Sequence, residues 1–171
     1  KKYRSLLVDS RVSTTNELVA FVRRLDTKPT VMISASAAGY YGRREDETLE
    51  EHEPPQPIFM STLCSLWESA ANPVEEMGVR LVIPRISVVL GPDGGAFPKL
   101  VRPAKFGLGA ITGSGNQYFP WIHKTDLLRL FDHMLKTDTL SGPVNAVAPN
   151  TVSNADFNKA LASALRRPLF V

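Results

Sequence analysis

Short apolar runs alternate with helical patterns along the first half of the chain. Residues 30–34 and 79–83 are nearly continuous apolar runs, which is typical of strands buried on both faces of a parallel sheet. Between them, apolar residues recur at helical spacing and predict a helix whose inward face is Leu63, Leu66, Trp67 and Ala70. An order of helix, strand, helix and strand indicates βαβ units.

Capping and breaking residues predict where the helices begin and end. Thr14 and Glu17 have the spacing of a capping box, so we expect the first helix to begin there, with Leu18, Phe21, Val22 and Leu25 facing inward. Pro73 is expected to break or kink the second helix. Thr125 and Ser153 are expected to cap two later helices, the first carrying apolar residues from Leu127 to Met134 and the second from Phe157 to Leu165.

The remaining segments are predicted from proline, glycine and charge. Residues 43–57 are acidic and rich in proline, which indicates a surface loop. Residues 87–90 continue the second strand, and Pro84 between the two parts predicts a bulge or a local break. Residues 96–124 are rich in glycine and are expected to be irregular. A short strand is expected at 144–148.

Composition excludes several classes of protein. Of 171 residues, 43% are hydrophobic and 22% charged, which is the balance of a soluble protein that forms a core. The net charge of +3 is small and its basic residues are scattered, so nothing indicates a nucleic-acid partner. No apolar run approaches the roughly 20 residues that a membrane span needs.

The cysteine and histidine counts bear on redox compartment and metal binding. Cys64 is the only cysteine, which rules out an internal disulfide framework and indicates a reducing compartment, the cytoplasm or the matrix of a mitochondrion or plastid. The three histidines are widely spaced along the chain. With one cysteine they do not make the usual structural zinc patterns, so no metal site is predicted.

Two groups of residues could carry chemistry. Ser36 follows the end of a predicted parallel strand, where ligands bind in open α/β sheets, and its hydroxyl could hold a substrate oxygen; small residues there could also serve only to allow a tight turn. With His123 and Asp126 it supplies the side-chain types of a hydrolase triad, but no Gly-x-Ser-x-Gly elbow is present. In the simpler interpretation Asp126 stabilises a helix N-terminus and His123 packs beneath Trp121.

Other polar and glycine-containing segments are interpreted as structural. Gly107–Gly109 and Gly113–Gly115 lack the third glycine of a dinucleotide-binding fingerprint, and neither opens a clear helix after a clear strand. Both are therefore expected to be turns. Trp67 and Glu68 are expected to be core and solvated rim, respectively.

The segment Ser34–Gly42 (Ser-Ala-Ser-Ala-Ala-Gly-Tyr-Tyr-Gly) resembles the extended short-chain dehydrogenase/reductase superfamily, and within it the branch called epimerase family proteins. The other segments that agree follow in order along nearly the whole chain: 63–68, 88–92, 106–109, 113–123, 142–150, 154–157 and 165–168.

The resemblance implies an α/β fold, the later part of an NAD(P)-binding Rossmann fold with a small α+β substrate-binding part. Residues 1–92 would be the later portion of the Rossmann domain, and residues 93–171 the substrate-binding part, with a Rossmann strand near 144–148. The Gly-rich turn that seats the pyrophosphate, and the first four strands, would precede Lys1, and a short segment would follow Val171.

The resemblance also implies a cofactor and a set of contacts. NAD or NADP would lie against Ala37, Ala38, Ile86 and Ser87, largely through backbone atoms. Substrate would lie toward Ser36, Tyr40, Gln117, Trp121 and His123. Ser36 best matches the serine of the superfamily, and Ser34 is the second choice.

The chain departs from the superfamily at the residues that move protons. The usual chemistry needs a tyrosine acid/base and a lysine four residues later, with a glutamate four residues beyond the lysine. Alignment on Glu68 places Cys64 at the lysine position and Met60 at the tyrosine position. Neither side chain can perform those roles.

A second departure concerns the substrate. Nucleotide-sugar enzymes of the superfamily hold the diphosphate with an arginine, and here that position is Phe119. Loss of a bidentate anion binder argues against a nucleotide-diphosphate sugar as substrate. A smaller and more apolar molecule suits Tyr118, Phe119 and Trp121 better.

Two functions remain in view. The first is an NAD(P)-binding oxidoreductase or epimerase-like protein that acts on an unidentified small molecule. The alternative is a catalytically silent relative, a structural or accessory subunit of a larger assembly, for example in an organelle. Assembly as a homo-oligomer is compatible with both, and a hydrolase that uses Ser36 and His123 is a distant third.

Overall fold

A computed structural model describes residues 2–170. The described residues form five α-helices: α1 (Lys2–Arg24), α2 (Phe59–Ala71), α3 (Phe97–Lys105), α4 (Lys124–Lys136) and α5 (Asn154–Leu165). The strands are β1 (Val31–Ile33), β2 (Ser36–Ala37), β3 (Arg80–Ile86), β4 (Val88–Leu90), β5 (Gly109–Ala110), β6 (Tyr118–Phe119), β7 (Trp121–His123), β8 (Gly142–Ala146), β9 (Val152–Ser153) and β10 (Leu169–Phe170). Two 3₁₀ helices follow β2 and α2, at Ala38–Tyr41 and Asn72–Met77.

The chain divides into two compact units. Unit 1 comprises the residues up to Ile86 together with Arg129–Ala146. Unit 2 comprises Ser87–Leu128 and the residues from Val147 onward.

Unit 1 is built on a parallel sheet with β3 at its centre. β1 and β2 both pair with one edge of β3, in succession, and β8 pairs with the other edge. Every pairing is parallel, with Met32 opposite Leu81 and Ser36 opposite Arg85. The α/β class and the parallel sheet predicted from the apolar runs are therefore confirmed.

β3 runs through Pro84 without the predicted break. Val82 accepts a hydrogen bond from Ser34 N–H on the β1 side, and Pro84 faces the same side because it lies two residues further along the strand. On that side β1 ends at Ile33 and β2 begins only at Ser36. The N–H that proline lacks therefore lies where the neighbouring strand is interrupted, and no ladder hydrogen bond is lost. β3 continues to Ile86, and the next strand, β4, pairs with β7 instead.

Helices cover both faces of this sheet. Leu81 and Ile83 point to one face, where they pack with Met32 and with Val19 and Val22 of α1. Arg80 points to the other face and donates hydrogen bonds to the carbonyls of Met134, in α4, and Leu140. The core of unit 1 thus lies between the sheet and α1 on one side, and α4 reaches the opposite side.

α1 differs from the predicted helix in its start and its inward face. It begins at Lys2, and Thr14 is an interior residue whose hydroxyl donates to the carbonyl of Ser10, so the capping-box prediction is wrong. The buried residues are Thr15, Val19 and Val22, whereas Leu18 and Phe21 are 47% and 51% exposed. The helix is turned by about one position from the orientation that its largest apolar residues predict.

α2 shows a similar rotation. Leu63 is buried as predicted, together with Ser61 and Cys64, but Leu66 is exposed. The helix ends at Ala71 and Pro73 opens the 3₁₀ helix that follows, which confirms the predicted break.

Unit 2 contains three small strand pairs and α3. β4 pairs in parallel with β7, β5 in parallel with β10, and β6 antiparallel with β9. The prediction that residues 96–124 are irregular is wrong at α3. Its Pro98 stands in the first turn, where a backbone N–H has no helical partner, so this proline does not oppose the helix.

The helices that follow β7 and β9 begin differently. Thr125 does not cap α4; the helix begins at Lys124, and the Thr125 N–H donates to Nδ1 of His123 over 3.2 Å. Ser153 caps α5 as predicted, since its hydroxyl accepts a hydrogen bond from Asp156 N–H. Between residues 2 and 170, no helix is both long enough and apolar enough to cross a bilayer.

Candidate functional site

The carboxyl end of the unit 1 sheet carries a run of small residues. Ala37 closes β2 and pairs with Ile86 at the end of β3, and Ala38 opens the 3₁₀ helix. Ala37 and Ala38 are partly exposed, whereas Ser34 and Ser36 are buried. The strand ends therefore present backbone and methyl groups to solvent, a surface that a flat ring could approach closely.

Ser36 is held by a carboxylate of α2. Its Oγ donates a hydrogen bond to Oε1 of Glu68 over 2.6 Å. The hydroxyl proton is thereby directed at Glu68, and a catalytic role for Ser36 stays a prediction of the sequence. Glu68 itself was expected on a solvated rim, and that expectation is wrong because its side chain is mostly buried in an ion pair.

The partner of Glu68 is Arg85, a residue of β3 that is 3% exposed. Nε and Nη2 of Arg85 donate to the two carboxylate oxygens of Glu68 over 3.0 and 2.9 Å. Nη1 donates to the Tyr41 hydroxyl and to the Glu51 carbonyl, each over 2.9 Å. Burial alone lowers the pKa of this guanidinium, but the hydrogen bonds that it donates to Glu68 and Tyr41 outweigh burial, so the pKa is raised and Arg85 stays charged.

The two tyrosines next to this ion pair have different surroundings. The buried Tyr41 accepts from Arg85 and donates to Oδ1 of Asn145 over 2.6 Å. Burial raises the pKa of Tyr41, against the hydrogen bond and charge of Arg85. Tyr40 packs its ring under the guanidinium, with Arg85 Cζ 3.4 Å from the ring centroid. Tyr41 is thus committed in both hydrogen-bonding directions, and Tyr40 is a stacking partner of Arg85.

The acidic loop at 43–57 is tied to the same end of the sheet. Asn145 of β8 donates its backbone N–H to the Glu51 carboxylate over 2.8 Å and its side-chain amide to the Leu49 carbonyl over 3.0 Å. At the start of the loop Gly42 has φ of +79°, and the Gln56 side chain lies where a Cβ would be. The predicted surface loop is therefore confirmed, and hydrogen bonds fasten it to the sheet.

Met60 and Cys64, at the tyrosine and lysine positions of the superfamily, both face the turn at Gly39. A Cβ on Gly39 would lie 3.9 Å from Met60 Cβ and 4.0 Å from Cys64 Sγ. Burial raises the pKa of the Cys64 thiol, against a hydrogen bond from the Ala37 backbone. Near neutral pH Cys64 is therefore an uncharged thiol, and it does not supply the fixed positive charge of a lysine.

Unit 2 holds the other residues that the sequence predicts at a site. The Gln117 amide donates to the Thr112 carbonyl over 2.7 Å. Trp121 lies in β7 opposite Val88, and its carbonyl accepts from Ala148 N–H over 2.7 Å. His123 is exposed, and its Nδ1 accepts from Thr125 N–H at the start of α4. Asp126 lies in the first turn of α4, as the simpler interpretation expects.

Phe119 takes part in an apolar contact. Its ring packs on Phe157 of α5 with 4.2 Å between ring centroids. The position at which nucleotide-sugar enzymes are expected to carry an anion-binding arginine is here one half of an aromatic pair.

Each unit also contains an open cavity. In unit 1 a cavity of about 310 Å³ lies beside α2, and Tyr40, Glu68, Leu81, Ile83 and Pro143 are among its lining residues. In unit 2 a cavity of about 550 Å³ lies along the segment that joins β4 to α3, and Ser87, the last of the predicted cofactor contacts, is in its lining. Lys124 and Asp93 form an ion pair in the lining of the second cavity.

The residue that sequence reasoning missed is Arg85. A signal for it exists, because it is a lone charge inside the apolar run Leu81–Ile86, and a buried charge requires a partner. The sequence near Arg85 does not reveal its partners, because Glu68 lies on the preceding helix and Tyr41 and Glu51 lie further upstream.

The amino-acid sequence is similar to a known protein family and to several of its members. Residues 1–147 match the sequence profile of a family described as the NAD dependent epimerase/dehydratase family. Epimerase family protein Mb2239 of Mycobacterium bovis is 39% identical over 166 residues, which are 97% of this chain and 54% of that protein. Epimerase family protein SDR39U1 of Bos taurus is 36% identical over 167 residues, 96% of this chain and 56% of that protein. The chain thus spans about half the length of these curated relatives.

Solved structures agree with the sequence matches. The crystal structure of human epimerase family protein SDR39U1 (isoform 2) with NADPH superposes with a TM-score of 0.92 and 32% identity, over 100% of this chain and 58% of that one. The crystal structure of a nucleoside-diphosphate sugar epimerase from Corynebacterium glutamicum gives 0.86 and 36% identity, over 99% of this chain and 38% of that one.

Proposed function

Because the chain belongs to the NAD dependent epimerase/dehydratase family, we propose that it is the nicotinamide-side portion of an NAD(P)-binding oxidoreductase or epimerase-like protein. The observation that carries the proposal is the partly exposed run of small residues at the carboxyl end of parallel strands, where open α/β sheets bind their ligands. The human relative with NADPH, at 32% identity, supports the same cofactor class.

The residues present fit a nicotinamide ring. Ala37 and Ala38 carry only methyl groups, and Ile86 pairs with Ala37 at the adjacent strand end, so a planar ring can approach the backbone there. We assign these three residues and Ser87 as the cofactor contacts. When bound, the nicotinamide would accept or deliver a hydride.

The residues at the tyrosine and lysine positions of the superfamily do not support its usual proton transfer. Met60 has no proton to give, and Cys64 is a buried neutral thiol. The Tyr41 hydroxyl is held by Arg85 and Asn145. We therefore assign no proton-relay role to any of these three residues.

For the substrate we propose a small molecule without a diphosphate. Phe119 packs on Phe157 at the position where a diphosphate-binding arginine is expected, and an aromatic pair offers an anion no hydrogen-bond donor. We assign Gln117, Trp121 and His123 of unit 2 as the residues to test for contact with that substrate. Tyr40 of unit 1 is a separate candidate and is tested by itself.

The cofactor assignment is tested by amide hydrogen exchange of the full-length protein, as its gene encodes it, with and without NADPH. Slower exchange is expected in peptides that cover Ala37–Gly39 and Ile86–Ser87, with α5 as the internal control that does not change. NADPH-dependent protection that omits both peptides would contradict the assignment.

The silent-subunit alternative is favoured by Met60 and Cys64. It predicts that the protein binds NADPH and never oxidises it. Absorbance at 340 nm, followed with a panel of small aldehydes and ketones, separates the two functions. Enzyme-dependent oxidation with any of these carbonyl compounds rejects the silent subunit, whereas tight binding without oxidation across the whole panel rejects the oxidoreductase for that class of substrate.

A further inference from the structure

The Arg85 side chain is linked to both ends of the segment 36–41, which we call the turn segment. At its beginning, Arg85 acts through Glu68, whose Oε1 accepts from Ser36 Oγ over 2.6 Å and from Arg85 Nε over 3.0 Å. At its end, Arg85 donates directly to the Tyr41 hydroxyl over 2.9 Å and lies over the Tyr40 ring. One buried side chain is thus coupled to the first residue of the segment and to its last two.

The other tethers of the turn segment are concentrated at its end, where Tyr41 donates to Asn145 Oδ1 over 2.6 Å and its carbonyl accepts from Arg44 Nε over 3.2 Å. β2 pairs with β3 at only two residues, and the 3₁₀ helix that follows has no side-chain cap. Ser61 Oγ donates to the Gly39 carbonyl over 3.2 Å. Ala37 and Ala38, between the two ends, have only methyl side chains, which make no hydrogen bond that could fix their backbone.

We propose that Arg85, held in place by Glu68, is a positioning residue that sets the backbone of the turn segment, and with it the surface that Ala37 and Ala38 present. The part that concerns the cofactor rests on the function proposed above. The part that concerns the backbone rests on the hydrogen bonds alone.

The chemistry of the guanidinium suits this role. Its donors lie in one rigid plane, so two bonds to Glu68 fix the plane, and the remaining donors then fix where Tyr41 and the Glu51 carbonyl must lie. Tyr40 stacks on the face of the same plane. A lysine at position 85 would keep the charge but would lose this planar array.

The test is the double variant Glu68→Leu/Arg85→Met of the full-length protein. Removing both charges together leaves no uncompensated ion, and apolar replacement of a buried pair is often neutral for stability. We expect an urea midpoint close to that of the wild type, amide exchange of residues 37–41 faster by about tenfold or more, and a dissociation constant for NADPH raised by about tenfold or more.

A matched control removes an ion pair that does not touch the turn segment. Asp132 and Lys136 pair on the exposed surface of α4, also in unit 1, over 2.8 Å. The variant Asp132→Asn/Lys136→Gln is expected to change neither the exchange of residues 37–41 nor the NADPH affinity.

The readouts keep the two proposals apart. A folded Glu68→Leu/Arg85→Met variant with wild-type exchange at residues 37–41 overturns the positioning role, whatever its NADPH affinity. If the wild type binds neither NADPH nor NADH, the proposed function fails. Amide exchange of residues 37–41, compared between the double variant and the wild type without cofactor, still tests the positioning role. Should the double variant not fold, Arg85→Lys is measured instead, with faster exchange at residues 37–41 expected and unchanged exchange contradicting the proposal.

Discussion

Among the described residues of unit 1, Arg85 is the most deeply buried charged side chain, and it forms an ion pair with Glu68. The pair holds the side chains around it at the carboxyl end of the sheet. A buried ion pair gains little net stability when both partners are present, but loss of one partner leaves a charge without compensation. The pair therefore makes the surroundings of Ser36 and Tyr41 sensitive to single substitutions.

Glu68→Ala is expected to lower the free energy of unfolding by about 3–5 kcal/mol, because Arg85 would remain buried without its counter-ion. Urea unfolding measures the change. Glu76→Ala is the control, since Glu76 is an exposed glutamate near the end of the next helical segment, and it should change stability by less than about 0.5 kcal/mol. Equal losses in the two variants would show that Arg85 does not depend on Glu68.

Cys64 and Tyr41 make stability depend on alkaline pH. Burial raises the pKa of Cys64 above 9.0 and that of Tyr41 above 10.0 in the folded protein. The unfolded chain therefore loses these protons first as pH rises, so the free energy of unfolding should be level near pH 8 and fall above about pH 9.

The variant Cys64→Ala separates the two groups. It should remove the part of the fall that begins near pH 9 and leave the later part that belongs to Tyr41. Unfolding in urea at a series of pH values measures both curves. The same slope above pH 9 in the wild type and in Cys64→Ala would contradict the assignment to the thiol.

Among the secondary-structure elements, sequence patterns predicted the positions of the strands more reliably than the face of each helix that is buried. The runs at 30–34 and 79–83 became β1 and β3 because continuous apolar residues suit a sheet covered on both faces. The inward face of α1 was only partly predicted, because Val22 is buried as expected but the larger Leu18 and Phe21 remain exposed and Val19 is buried instead. Size and hydrophobicity alone do not reveal which face a neighbour covers.

Capping residues and prolines predicted the structure correctly at some positions and wrongly at others, depending on the backbone around them. Ser153 was correctly predicted as a cap because the segment before it is extended, whereas the capping-box residues Thr14 and Glu17 lie inside a longer helix. Pro84 was overestimated as a breaker, since its missing N–H falls where no partner stands opposite it. A local motif is informative only together with the backbone on either side.

The end of α4 provides a matched pair of neighbouring residues. Met134 is fully buried and Leu135 is 54% exposed. Met134→Ala should cost about 2–5 kcal/mol of unfolding free energy through lost burial and a residual cavity, and Leu135→Ala should cost less than about 1 kcal/mol. Thermal or urea unfolding measures both variants, and a larger loss for Leu135→Ala would show that α4 is turned the other way.

At the scale of the whole molecule, the order of short motifs was enough to place the chain in its family, while the site was only partly predictable. Ser36 was placed at a strand end from the apolar run before it, whereas Ala37 and Ile86 came from the family resemblance; the two pair at neighbouring strand ends, and their role as cofactor contacts stays a prediction. Arg85 was missed because the residues that hold it come from three different segments, the 3₁₀ helix after β2, the acidic loop and α2. Contacts between segments so far apart are made by the fold, and no spacing rule in one sequence encodes them.

The family assignment and the strand-end surface lead to one central claim, that this chain contributes the nicotinamide contacts of an NAD(P)-binding protein. Isothermal titration calorimetry of NADPH and NADH into the full-length protein tests it most directly. The account predicts saturable one-site binding of at least one of the two, with a dissociation constant below about 1 mM. The absence of binding heat for both cofactors at millimolar concentration, with a folded protein in the cell, would contradict it.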